Sequence, residues 1–213
     1  MKPKTYTTDL ANLPEALARL TQQPRWVLWY WEQRQTKNSE PKWTKPPRQP
    51  CGSYAHNGKP ETWSPYSAVV SAMNGADGIG YQLLGDRIAA IDLDGCRDEA
   101  RGSIDPCVDQ ATTCGAYVEI SPSGTGLHII GLSDKGALQS KYAVNSTREK
   151  AGAEIYRNVD TGRYICITGC EVGKSADLTN IDPVLDRITN EYGQQPNVAN
   201  VRQLNDTPPL SSS

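Results

Sequence analysis

Arg87-Ile-Ala-Ala-Ile-Asp-Leu-Asp-Gly95 is the stretch on which the fold and the chemistry of this chain turn. It reads as a short apolar strand that ends by presenting two carboxylates, Asp92 and Asp94. Alternate residues of a strand share a face, so Ile91 and Leu93 can enter a core while both aspartates face one open site. Two like charges held roughly 7 Å or less apart repel and raise each other's pKa. A divalent cation between them removes that repulsion, and hard oxygen ligands suit Mg²⁺ or Mn²⁺. The competing reading is a solvated strand end with two surface acids.

Working outward, 213 residues suit one large domain or two small lobes, enough to bury a core without disulfides. A net charge of −2 and a pI near 5.7 exclude a globally basic nucleic-acid binder. Any polyanion contact must then be local. Between Arg25 and Arg48, the basic residues Arg25, Arg34, Lys37, Lys42, Lys45 and Arg48 face only Glu32 and Glu40, interleaved with Trp26, Trp29, Trp31 and Trp43. Such a mixture could grip phosphates and stack bases. For the tryptophans, an ordinary strand with a core-facing aromatic row is the preferred reading. The six cysteines form no C-x-x-C pair, and the start Met1-Lys-Pro-Lys-Thr-Tyr6 is too polar for a signal peptide. Reduced thiols and a cytoplasmic location are expected. A zinc site on Cys96, Cys107 and Cys114 fits no usual spacing and is not expected. No apolar run approaches the ~20 residues of a membrane span, so no membrane partner is expected.

The pattern predicts a mixed α+β protein dominated by strand pairs, with residues 1–192 as the domain. Short helices are expected over 13–21 and 64–73, the second with Pro65 near its start, and a final helix over 183–192. Strands are expected over 25–31, 78–84, 87–93, 117–120, 127–130, 153–156 and 163–168. Hairpins are expected between the second and third of these and between the last two around 158–162, while 117–120 and 127–130 flank the loop 121–126, for which a tight hairpin turn, with His128 as a satisfied sheet residue, is the bland alternative. Residues 36–65 read as a long irregular excursion, and a helix is expected after Pro106. Residues 193–213, rich in Gln, Asn, Pro and Ser, read as a linker or disordered tail.

Ser121-Pro-Ser-Gly-Thr-Gly-Leu-His128 joins small residues to an imidazole. Backbone N–H groups at Gly124 and Gly126 can approach a phosphate closely, the hydroxyls of Ser121, Ser123 and Thr125 add donors, and His128 can hydrogen-bond a triphosphate. Gly152-Ala-Glu-Ile-Tyr156 offers a third carboxylate, Glu154, which with the aspartates would complete a holder for two divalent metals. Glu119 and Asp160 compete for that role, and a salt bridge from Glu154 to Arg163 is the bland alternative.

These motifs, with Arg25-Trp-Val-Leu-Trp29, Lys42-Trp-Thr-Lys-Pro-Pro47, Gly78-Ile-Gly-Tyr81 and Arg163-Tyr-Ile-Cys-Ile-Thr-Gly169, resemble the archaeo-eukaryotic primase superfamily. The likeness is strongest to primase–polymerase domains of phages, plasmids and integrated elements, and it spans roughly residues 25 to 170. It implies an RRM-like catalytic sheet packed beside a smaller αβ lobe, and metal-dependent, template-directed nucleotidyl transfer in replication. Carried over, Asp92, Asp94 and Glu154 are metal ligands for Mg²⁺ or Mn²⁺, and His128 contacts the nucleotide. Arg163, the 121–126 loop and Lys45 would hold phosphates, with Lys42 and Arg48 as weaker candidates. Implied partners are nucleoside triphosphates, a single-stranded DNA template and primer, and a fused or separate helicase. The family's Ser-x-His motif has Gly126 where serine is usual, which leaves that role to Ser123, Thr125 or backbone.

Two rivals stand beside this reading. Ile88–Gly95 and Ile165–Gly169 also resemble a haloacid-dehalogenase-like phosphatase, with Asp92 as nucleophile and Asp94 as acid–base, although nothing after Thr168 supplies its late acidic pair. A non-catalytic RRM-like nucleic-acid module is the other. Gly169-Cys-Glu-Val-Gly-Lys-Ser175 is one residue short of a P-loop, and the two histidines, His56 and His128, form no nickase H-x-H motif.

Overall fold

In the computed structural model, residues 1–36, 39–104, 115–143 and 152–192 are described. The architecture is α+β, and every pair of named strands is antiparallel. One sheet has four strands in the order β11-β5-β1-β4, formed by Arg163–Ile167, Gly78–Leu83, Trp26–Trp29 and Pro47–Arg48. The other has five in the order β7-β8-β6-β10-β9, formed by Tyr117–Ile120, Leu127–Leu132, Ile88–Asp94, Gly152–Arg157 and Leu138–Ala143. A separate ribbon pairs β2, Glu32–Thr36, with β3, Ser39–Thr44. The helices are α1 (Ala18–Thr21), α2 (Tyr66–Ser71) and α3 (Asp182–Tyr192).

Alternation along β6 explains the layering. Ala89, Ile91 and Leu93 are buried on one face, where Val184, Leu185 and Ile188 of α3 cover them together with Leu127, Ile129, Ala153 and Ile155. On the opposite face, Ile88 and Ala90 pack with Tyr117 and Ile130 against Tyr81, Leu83, Ile165 and Ile167 of the four-stranded sheet. That same face then turns acidic at Asp92 and Asp94. The strand therefore begins between two layers and ends with one face open.

Helix α3 is fixed at its first residue. The Asp182 carboxylate accepts hydrogen bonds from Ser133 Oγ (2.5 Å) and the backbone N–H of Asp134 (3.0 Å), just beyond β8. Arg157, at the end of β10, donates to Asp186 one turn later (3.2 Å). At Gly131 an added Cβ would lie 2.5 Å from Ile181 Cγ2, so only glycine lets the segment entering α3 approach β8 this closely.

Three expectations need correction. The strands β5 and β6 do not form a hairpin: β5 pairs with β1 and β11, and β6 with β8 and β10. Likewise β10 and β11 lie in different sheets rather than pairing around 158–162. In both cases the turn carries the chain from one sheet to the other, and Gly85, Arg87, Asn158 and Gly162 all take positive φ there. Residues 36–65 are also not a shapeless excursion, since they hold β3, β4 and a 3-10 turn at Pro60–Thr62. The strands over 117–120 and 127–130, the two short helices and the final helix are as expected, and β7 and β8 pair as a hairpin. The helix expected after Pro106, Cys107, Cys114 and the 193–213 tail lie outside the described residues. Among the described residues, no helix is long and apolar enough to cross a membrane.

If α3 is what seals the back of the five-stranded sheet, Leu185→Ala should lower unfolding free energy by about 2–5 kcal/mol in a urea titration followed by circular dichroism. Gln33→Ala on the exposed ribbon should change it by no more than about 0.5 kcal/mol.

Candidate active site

Register builds the site. Directly opposed residues on neighbouring strands share a face, and five strands place Glu119, His128, Asp92, Glu154 and Lys141 in one row. One step along the same face, Asp94 stands opposite Gly152, where no side chain obstructs it. One step the other way, Tyr156 stands opposite Gln139 and Ala90. Asp92, Asp94, Glu154 and His128, which the sequence singled out, thus lie on one face of three adjacent strands.

The row is hydrogen-bonded at both ends. His128, 2 % exposed, has Nδ1 3.0 Å from Glu119 Oε1 and Nε2 3.6 Å from Asp92 Oδ1. Glu119 is 0 % exposed and accepts four further contacts: from the Tyr117 hydroxyl (2.9 Å), from Thr168 N–H at both oxygens (3.0 and 3.1 Å) and from Gly169 N–H (3.0 Å). At the other end, Lys141 and the Tyr156 hydroxyl both bond Glu154. Burial opposes the Glu154 charge, but these two hydrogen bonds outweigh it and hold the carboxyl below its usual pKa. Asp94 behaves oppositely. Desolvation first, and then the neighbouring Asp92 charge, push it up to about 6, with Lys141 and Lys45 pulling the other way.

A cleft of about 140 Å³ opens over this row, lined by Lys45, Asp92, His128, Tyr156, Tyr164, Ile165 and Cys166. Its far wall is therefore β11 and the turn before β4. The Lys45 ammonium sits 5.8 and 5.3 Å from the ring centres of Trp29 and Trp31. Its backbone carbonyl accepts from the Tyr164 hydroxyl. Trp29 is buried with its indole N–H on the Ile79 carbonyl (3.0 Å), as expected for a core aromatic row, and Trp31 is only half-buried. Burial pushes the Cys166 thiol up, so it is an inert wall rather than a nucleophile. A larger concavity of about 620 Å³ lies between the N-terminal segment and residues 169–175, but none of its lining residues belongs to the acidic row.

The other predicted residues occupy distinct positions. Ser121 to Gly126 form the tight turn between β7 and β8, with Ser121, Ser123 and Thr125 hydroxyls linked in series at 3.0 Å. Gly126 abuts the Leu93 carbonyl, and Arg97 bonds Gly124 O (2.7 Å), so the turn lies beside the acidic end of β6. Tyr6 packs its ring on Gly124 and donates its backbone N–H to Pro122 (2.9 Å). Arg163 begins β11 and, with the Gln139 amide oxygen turned towards it, donates at 3.1 and 2.7 Å across the two sheets. It makes no salt bridge to Glu154, whose partner is Lys141. Arg48 is committed to Glu32 and stacks 3.6 Å from the Tyr54 ring centre, and Lys42 is exposed on the ribbon. Asp160 is exposed in the turn before β11. Thr168, the second motif of the phosphatase reading, is buried with its hydroxyl on the Ile120 carbonyl (2.7 Å). Lys141, Gln139 and Tyr164 were not singled out from the sequence, and only the register and the sheet-to-sheet approach bring them to the cleft.

Among the described residues, no three His, Cys, Asp or Glu side chains stand as a ready-made metal centre. The donor chemistry nonetheless suits a hard cation at Asp92 and Asp94, two carboxylates on one face, one of them made protonation-prone by desolvation and then by the charge of the other. Glu154 could join only by releasing Lys141.

The fold and the site define an α+β protein with an acidic cleft between two antiparallel sheets. No protein-family model matches the chain. It is similar to a protein named DNA primase-polymerase from Nitratiruptor phage NrS-1, at 30 % identity over 174 residues, covering 78 % of this chain and 22 % of that relative. The chain thus spans about a fifth of the length of the curated relative it matches.

The raised Asp94 pKa has a signed consequence for the metal-free protein. A carboxyl held up to about 6 against an unfolded value near 3.8 destabilises the fold fully above pH 6, and the penalty lifts as pH falls through 6. Asp94→Asn should therefore raise the melting temperature at pH 8 in EDTA, and the gain should shrink towards pH 4.5. A gain independent of pH would contradict the raised carboxyl pKa as its source.

Proposed function

We propose that this chain is the catalytic module of a DNA primase/polymerase of the archaeo-eukaryotic primase superfamily, acting in replication of a phage, plasmid or integrated element. The observation that carries the reading is the in-register row Glu119–His128–Asp92–Glu154 with Asp94 beside it. Similarity to a phage protein named DNA primase-polymerase supports it. The five-stranded sheet backed by α3 stands for the RRM-like catalytic sheet, and the four-stranded sheet with α1 and α2 for the smaller lobe.

Asp92 and Asp94 would hold Mg²⁺ or Mn²⁺, joined by Glu154 once Lys141 gives it up. Cations held there would supply Lewis-acid chemistry, acidifying an attacking 3′-hydroxyl and balancing charge on a leaving pyrophosphate. The chain's own residues orient the rest. His128 turns Nε2 towards the cleft, where the imidazolium, its Nδ1–H kept by Glu119, would donate to a phosphate oxygen. Lys45, held by the Trp29 and Trp31 faces, and Arg163, held by Gln139, supply positive charge from the opposite wall. The 121–126 turn offers hydroxyls and glycine backbone at the edge. In the transfer, the 3′-oxygen bonds the α-phosphorus as the bond to pyrophosphate breaks. Substrates are nucleoside triphosphates on a single-stranded template, with a helicase as a fused or separate partner.

Incubation with labelled nucleotides, Mn²⁺ or Mg²⁺ and single-stranded DNA, with and without a primer, tests this. A product ladder is expected, and Asp92→Ala or Asp94→Ala should reduce it by at least about 10³-fold while leaving the circular dichroism spectrum unchanged. An active Asp92→Ala protein would end the proposal. Phosphate release without incorporation would favour the phosphatase, and metal-independent strand binding alone the RNA- or DNA-binding module.

A further inference from the structure

We infer that Glu119 is a positioning residue that fixes the tautomer of His128, with the proton on Nδ1 and Nε2 turned to the cleft. Its consequence for nucleotide contact rests on the function proposed above, but the tautomer itself does not.

The argument is one of hydrogen-bond capacity. Glu119 is completely buried, and everything that reaches it is a donor or can be one. Two of these groups, the backbone N–H of Thr168 and of Gly169, can only donate. An ionised carboxylate accepts from all of them and has capacity left for the imidazole 3.0 Å from Oε1. His128 Nδ1 must then carry a proton, since a bare nitrogen facing a carboxylate oxygen would leave two acceptors in contact. The other ring nitrogen is set by the same bond, and it lies towards Asp92 on the open side. Glu119 also joins β7 to the residues that follow β11, so the clamp on His128 and the spacing of the two sheets share one side chain. From residue order alone, Glu119 competes with Glu154 for the role of third metal ligand. Its burial and full set of donors assign it to the imidazole instead.

A specific result follows for Glu119→Gln. The amide oxygen takes the Oε2 position, because the fixed N–H of Gly169 points there and would meet an NH₂ as a second donor, while Thr168 N–H, which reaches both positions, can bond the oxygen at Oε2. The NH₂ then takes the Oε1 position facing His128, whose Nδ1 has to become an acceptor. The proton moves from Nδ1 to Nε2. Tyr117→Phe removes a different bond to Glu119 and should leave the ring as it was.

The chain has two histidines, so nitrogen-15 labelled histidine with His56→Gln for assignment resolves His128 without nucleotide or metal. The expected spectra show Nδ1 protonated in the wild type and in Tyr117→Phe, and the Nε2–H tautomer in Glu119→Gln. An unprotonated Nδ1 in the wild type, or a signature unchanged by Glu119→Gln, would overturn the inference. If Glu119→Gln does not fold, the wild-type spectrum decides alone. In the incorporation assay, Glu119→Gln should lose about 10- to 100-fold in kcat/KM. It should lose nothing further in a His128→Ala background, since the effect runs through that ring. An additional loss in that background would mark Glu119 as structural only. Absence of incorporation by the wild type would defeat the proposed function and leave the tautomer result standing.

Discussion

A slip of one residue between β6 and either neighbour would turn Asp92 out of the cleft and into the layer covered by α3, because side chains alternate strictly across a sheet. The register is held by what lies on the other face. Ala89, Ile91 and Leu93 on β6, Leu127 and Ile129 on β8, and Ala153 and Ile155 on β10 all meet the apolar side of α3. Each hydrophobic position buried there fixes a polar position on the opposite face. The polar row is thus a by-product of core packing, and it cannot shift without exposing that core. Asp182 and Asp186 pin α3 to β8 and β10, so the template for the register is itself anchored to the strands it aligns.

Along the row, charge is distributed unevenly. At the buried end, a carboxylate sits among fixed donors and supports an imidazole. At the outer end, Lys141 and Tyr156 satisfy Glu154. Between them, Asp92 has only the long 3.6 Å approach of His128, and Asp94 has its protonation favoured. The two carboxylates of β6 are therefore the least satisfied anions of the cleft, and they are the ones with an open face. Lys141 is a built-in counter-ion that offsets the repulsion Asp94 meets from Asp92 and Glu154 in the metal-free state. A cation arriving at the aspartates competes with it for Glu154.

Much of this was legible from residue order. Period-two alternation marked β6, β7, β8 and β10 and told which of their residues share a face, since that depends only on backbone pleat. The two strands flanking Ser-Pro-Ser-Gly-Thr-Gly were legible, and their adjacency in one sheet makes the loop the tight hairpin that stood as the alternative to a phosphate cradle. Which strands pair at longer range was not legible. Gly85-Asp86-Arg87 and Asn158-Val-Asp-Thr-Gly162 carry the same turn signals whether the chain folds back on its own strand or crosses to another sheet, and here they cross. The ribbon of β2 and β3 escaped notice because its residues are almost all polar and include Pro41, leaving no alternation to detect. Lys141 and Gln139 belong to a strand, β9, whose partner is set only in three dimensions.

The account stands or falls on a divalent cation held by the two carboxylates of β6. Titration of Mn²⁺ into the protein, followed by loss of the free-ion electron paramagnetic resonance signal, measures this without any substrate. Saturable binding by the wild type, abolished when Asp92 and Asp94 are both replaced by asparagine, is the predicted result. Equal binding by that double variant, or none by the wild type even with a nucleoside triphosphate present, would contradict it.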